Sequence, residues 1–359
     1  MRIQALAFAA CLLLLASTDA VAQAPGPSAP LPNVRLLATG GTIAGAGQGS
    51  GYRASVVPIG DIVRAVPGLA EIANVDAEQV ANIPSPDADE HLWRKLVSRI
   101  LSTSADPGTA GIVVTHGTDT LEETAFFLSL VVPAGKPVVL VGSMRPATAV
   151  SADGPRNLIA AVRVAGAASA RDRGIMVVMN DTIFSTMSVT QVVLGRVDAF
   201  AAPTRGPIGT VLTDPPRFFA KPAPHAAAFT LGPAPLPRVA IAYAYAGVGG
   251  DDIRAVARGA DALVIAGVGS GAFSAGARQA VKELTEGGMP VVRSHRLGSG
   301  DVPFNPASTG DFADQALGTI AGRELNPAKA RILLLLALQQ ARTRDELQAL
   351  FDAYGAATP

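Results

Sequence analysis

The stretch GIVVTHGTDTLEETAFFLSLVV, Gly111–Val132, reads as a strand, a tight turn and a helix in direct succession. GIVV is apolar without alternation, as a strand buried on both faces requires. THGTDT holds the glycine, threonine and aspartate that turns favour. TLEETAFFLSLVV then spaces its apolar residues by three and four. Working outward, the same unit recurs. Strand candidates NVRLLA (33–38), EQVANI (78–83), KPVVLVG (136–142) and GIMVVMN (174–180) alternate with the helical patterns GDIVRAV (60–66), HLWRKLVSRILS (91–102) and GPRNLIAAVRVAGAA (154–168). Such alternation predicts an α/β fold, a mostly parallel sheet with helices on both faces and its functional residues in loops at the carboxyl ends of the strands.

The chain has 359 residues, more than one core usually serves, so two domains are expected. The alternation lapses after Ala202 into a proline-rich stretch that reads as a hairpin or two followed by a linker. It resumes from Arg238 with RVAIAYAY, DALVIAGVG and PVVRS, separated by DDIRAVARG and SAGARQAVKELTEGG. That is a smaller α/β domain, ending in two helices, the second opened by a capping box of Thr343 and Glu346. The expected boundaries are a signal peptide at 1–22, a proline-rich lead at 23–32, an N-terminal domain at 33–212, a linker at 213–237 and a C-terminal domain at 238–359.

Residues 1–22 combine Arg2, a short apolar run and the small residues of AVA before Gln23, the pattern of a periplasmic export signal. The proline-rich QAPGPSAPLP that follows argues against a buried N-terminal helix, and Cys11 lies inside the apolar run, a poor place for a lipid anchor. Cleavage removes the single cysteine, leaving 28 residues of each sign and no thiolate for a disulfide or metal. Charged residues are 16% of the chain and its net charge is zero. That leaves no field for gathering nucleic acid or, after cleavage, an anionic membrane, and favours a small neutral or zwitterionic ligand.

Several chemistries find no motif. There is no GxGxxG, no Walker loop and no GxSxG elbow. His91, His116, His225 and His295 lack metal-ligand spacing. Two threonine-bearing turns remain, each just after a strand: TGGTIAG, with Thr39 and Thr42, and THGTDT, Thr115–Thr120. A threonine hydroxyl becomes a nucleophile when a neighbour takes its proton. Glycines beside it admit a substrate and leave amide N–H groups for an oxyanion. Asp119 could hold a substrate ammonium. The same turns read equally as glycine loops whose threonine and aspartate cap the next helix. Composition and spacing stop at a small-molecule site.

ATGGTIAG and VTHGTDTLEETAFFL resemble the two signature segments of bacterial L-asparaginases, particularly the secreted type II group. The resemblance continues through KPVVLVGSMRP, SADGPRNL, VVMNDT, AGVGSG, VVRS and LNPAKAR, in family order across the mature chain. It implies an amidohydrolase that converts L-asparagine to L-aspartate and ammonia through a threonine acyl-enzyme. No metal or organic cofactor is implied, and the assembly the resemblance implies is a homotetramer with sites shared between subunits. By position it implies Thr42 as nucleophile, Tyr52 as its activator, Thr118 as positioner of the attacking group and Asp119 as ligand of the α-amino group. It also implies Ser85 as ligand of the substrate carboxylate. Tyr52 also reads as a structural tyrosine, and Ser85 as a cap for the helix beginning near His91.

Departures accompany the likeness. The slot for the family's lysine, partner of the second-segment threonine, holds Gln191, and none of Lys95, Lys136, Lys221, Lys282 and Lys329 lies near it in sequence. Pro86 follows Ser85 where Gln or Glu is usual, and Ser270 and Ala272 stand where asparagines are common. A glutamate expected from a neighbouring subunit aligns with Asp311. These changes predict weak asparaginase activity, a shifted amide substrate, or a homologue retained for binding.

Overall fold

A computed structural model describes residues 30–47, 51–219, 221, 228–307, 309–341 and 343–356. The expected signal peptide, Cys11, Gln23 and His225 lie outside them. No helix among the described residues is long and apolar enough to cross a membrane.

Five parallel strands form the centre of the larger sheet: β1 (Asn33–Gly40), β2 (Asn74–Ile83), β3 (Gly111–Thr115), β4 (Val138–Val141) and β5 (Ile175–Met179). Their order is β2-β1-β3-β4-β5. Three antiparallel strands, β6 (Thr182–Ser185), β9 (Gly209–Thr210) and β10 (Arg217–Phe218), extend it beyond β5, while β7 (Thr190–Gln191) pairs separately with β8 (Phe200–Ala201). Every residue of β3, β4 and β5 is buried, and their alternation sorts side chains onto two faces. Leu37, Val114, Leu140 and Val177 pack with α3 (Glu90–Ala105) and α4 (Leu121–Val131). Leu36, Val113, Val139 and Val178 pack with α1 (Ile59–Ala65), α2 (Leu69–Ile72) and α5 (Gly154–Gly166) on the other face.

The smaller sheet is parallel, in the order β11 (Val239–Tyr243), β12 (Ala262–Gly267), β13 (Val291–His295) and β14 (Ile320–Ala321). One face is covered by α6 (Gly250–Ala257) and α7 (Ala275–Glu286), with α8 (Asp314–Leu317) at the side. The other meets α9 (Pro327–Ala337), whose largely apolar sequence also packs on α4, so one continuous core joins the two sheets. Then α10 (Arg344–Tyr354) opens with the Thr343–Glu346 capping box. The proline-rich stretch contributes the β9–β10 hairpin, and its later part is tied down where Arg94 donates to Gly232 O and Ala234 O.

From β1 the chain crosses to β2 on one side and then to β3 on the other. This reversal opens a crevice at the carboxyl ends of β1 and β3, where open parallel sheets bind their ligands. Ala38 is in register with Thr115, so the turns after the two strands leave the sheet side by side.

Candidate active site

The two threonine turns are in contact. Gly41 has φ 83°, and a Cβ there would fall 2.3 Å from Gly117 Cα. A Cβ on Gly117 would in turn fall 2.6 Å from the Ser85 side chain. These glycines therefore let the first turn, the second turn and Ser85 converge to backbone contact.

Within the first turn the two threonines separate in role. Thr39 is buried, and its Oγ1 donates to Thr115 O at 2.9 Å, stitching β1 to β3. Thr42 starts a 3-10 turn, Thr42–Ala44, and is half-buried. The Tyr52 hydroxyl donates to Thr42 Oγ1 at 3.0 Å. Tyr52 is 37% exposed, so this hydroxyl pair is open to solvent. Ser55 fixes the turn from behind: its Oγ accepts from Gly41 N and donates to Ile83 O, both at 2.7 Å. Ser55 does so from φ 61°, in the left-handed region. Nothing in the sequence singled it out.

In the second turn Thr118 is buried beside exposed Asp119. Neither caps α4, whose N-cap Thr120 instead sends its hydroxyl to Ser85 O at 2.7 Å. Ser85 is buried and is not a helix cap either; Asp89 caps α3 by accepting from Leu92 N. The capping readings of both elements are thus replaced by a lateral bond between them.

His116 lies beneath this turn, fully buried. Its Nδ1 is 2.8 Å from Gly117 O, which can only accept, so Nδ1 carries the proton. Nε2 then accepts from Thr124 Oγ1 at 3.0 Å, and that hydroxyl accepts from Trp93 Nε1 at 3.0 Å. Burial holds the imidazole below its ordinary pKa, against the opposing effect of the Gly117 bond. His116 is a neutral strut for the Gly117 turn. The described residues contain no cluster of His, Cys, Asp and Glu able to hold a metal ion.

The departures have definite places. Gln191 is half-buried on β7, opposite Phe200. Pro86 is exposed in the 3-10 turn Ser85–Asp87. Ala272 bridges back to Val268, and Ser270 O is held at 2.7 Å by Arg293, which pairs with buried Asp314. Asp311 is exposed and engages Arg278 at 3.1 Å. Lys329, remote in sequence from Gln191, approaches its strand: Nζ donates to Met187 O at 2.9 Å and to Val189 O.

Comparison with known proteins agrees with this architecture. The family described as "Asparaginase, N-terminal" matches residues 33–224, and "Glutaminase/Asparaginase C-terminal domain" matches 238–351. "L-asparaginase 2" of Bacillus subtilis is 43% identical over 332 residues, covering 90% of this chain and 87% of the relative. "Probable L-asparaginase periplasmic" of Haemophilus influenzae is 38% identical, covering 91% of this chain and 94% of the relative. Among solved structures, the probable cytoplasmic L-asparaginase of Campylobacter jejuni superposes with a TM-score of 0.83 at 38% identity, over 89% of this chain and 99% of that one.

Proposed function

The chain belongs to the asparaginase family and is an L-asparaginase-type amidohydrolase, and from that premise we propose that Thr42 is the nucleophile of a two-step amide hydrolysis. The observation that carries the reading is the Tyr52–Thr42 hydroxyl pair at 3.0 Å, set in the crevice where the two glycine turns meet. A hydroxyl pair at that distance is within reach for proton transfer. Thr42 Oγ1 attacks the side-chain amide carbon and gives up its proton through Tyr52. The C–N bond breaks, ammonia leaves carrying that proton, and an ester to Thr42 remains. Thr118 orients the water that attacks the ester, releasing the acid and restoring the threonine hydroxyl. Asp119, exposed at the mouth, takes the substrate's ammonium, and Ser85 takes its carboxylate.

The substrate proposed is L-asparagine, hydrolysed slowly because Gln191 has no basic nitrogen. Steady ammonia release from asparagine by the purified mature protein, measured against a panel of small amides, is the expected result. Release only from other amides would replace the substrate, and saturable binding without turnover would replace the enzyme reading.

We further propose that the mature protein begins near Gln23 and acts in the periplasm as a homotetramer. Support for export comes from the short apolar run, the AVA site and the periplasmic relative; the tetramer is proposed from the family resemblance alone. Denaturing and native mass spectrometry of exported protein should show a start near Gln23 and four chains. Intact Met1, a lipid on Cys11 or a monomer would refute the corresponding part.

A further inference from the structure

Lys329 is the only buried lysine among the described residues, with a side chain 3% exposed. Nothing in the hydrolysis above uses it. An ammonium in a protein interior is costly unless its donors are matched, and an apolar side chain of equal length would pack more cheaply. Here the donors are matched in one direction. Two go to Met187 O and Val189 O, carbonyls of an irregular segment that leads directly into Thr190 and Gln191 of β7. Glu122 Oε2, in the first turn of α4, lies 3.9 Å from Nζ and has no hydrogen-bond partner among the described residues. Glu122 Oε1 accepts from Asn326 Nδ2 at 3.3 Å, at the N-cap of the helix bearing Lys329. Glu122 stands one helical turn beyond Thr118. The neighbouring Glu123 is engaged by Arg331 at 3.7 Å.

We propose that Lys329 is a positioning residue for the active site, a staple that fixes the Met187–Gln191 segment against the helix turn that presents Thr118. This rests on the reading of Thr118 as part of the site, and it adds the member that holds the backbone leading into Gln191. The Met187–Gln191 segment that the staple holds carries neither Ser85 nor Asp119, so its loss should act on kcat more than on KM.

Burial pushes the Lys329 ammonium from its ordinary 10.5 down to about 8, with Glu122 opposing the fall. Above that pH the staple loses its charge and its attraction to Glu122. The unfolded chain holds this proton up to its higher pKa, so through that window the group's contribution to folding stability rises with pH. An alkaline fall in kcat with midpoint near 8 is therefore expected, in a range where the titration of this group does not itself destabilise the fold.

The test uses the mature protein, Lys329→Met and Glu122→Gln. Amide hydrogen exchange over residues 182–201 needs no turnover, and Lys329→Met should lose protection there while β3 and β4 keep theirs. Its kcat for ammonia release should fall about 10²-fold, the scale of an ångström of misplacement, with KM little changed. Glu122→Gln, which removes only the carboxylate, should move the alkaline midpoint of kcat to lower pH. A folded Lys329→Met with unchanged exchange, or with looser exchange and an unchanged kcat, overturns the proposal. If Lys329→Met does not fold, a Glu122→Gln midpoint that stays in place overturns it. Absence of ammonia release from every amide, with the exchange result intact, would instead reject the catalytic reading.

Discussion

Thr42→Ala should abolish ammonia release, a loss on the order of 10⁶-fold, the scale seen when the nucleophile of a covalent mechanism is removed. The fold should survive. Thr42 is half-buried in a three-residue turn, and that turn is held by bonds from Gly41 and Ser55 that do not involve its hydroxyl. Substrate affinity should survive as well, because Ser85 and Asp119, the proposed ligands of the substrate's two charged groups, lie on other elements. Thr118→Ala should cost nearly as much. The double variant should be little worse than either single one, since groups that act as one unit are not additive. Rates on asparagine, with thermal unfolding as the control for fold, check the set. An unaltered rate in Thr42→Ala would remove the mechanism altogether.

Which threonine to change is a question that composition and spacing leave open. They offer Thr39 and Thr42 of TGGTIAG on equal terms; the resemblance points to Thr42, and the bond from Thr39 to Thr115 O gives the first threonine a structural role. The large elements were legible because they carry their environment in their composition. The unbroken apolar runs of β3, β4 and β5 demand cover on two faces. The spacing in α3, α4 and α5 supplies that cover. The signature turns were legible as turns because they place glycine directly after strand runs, and as a catalytic pair through the resemblance of both segments to one family.

Features made by tertiary contact left no local trace. β7 and β8 are two residues each, too short for any periodicity. Ser55 takes a left-handed backbone without the glycine or asparagine that signals it. Ser85 and Asp89 both stand ahead of α3, and sequence alone cannot tell that the second is the cap while the first turns toward Gly117. Lys329 is the sharpest case. It follows the slot of Gln191 by well over a hundred residues, yet it bonds carbonyls two and four residues before that glutamine.

That proximity bears on Gln191→Lys, which should raise kcat on asparagine by about 10²-fold or more, within the 10²–10⁴ that a positioned general base contributes. Glutamine's amide can orient a hydroxyl but has no basic lone pair to receive its proton. A lysine in that slot works as a base only when a useful fraction is neutral, which burial and neighbouring positive charge both promote. Gln191 is half-buried, and the backbone two residues before it is held by the Lys329 ammonium, so both influences bear on the slot. Oxyanion donors and substrate positioning do not depend on the exchange, which is why the native protein should be slow and not dead. The gain should appear in kcat at pH 7–9 with KM nearly constant, measured as initial rates of ammonia release. Two results would count against the account. A native rate equal to that of a fully active asparaginase would mean that Gln191 is no handicap. A folded lysine variant that gains nothing would move the cause to Pro86 and Ala272, which offer no side-chain donor or acceptor to an amino acid. The substrate would then be an amide other than asparagine.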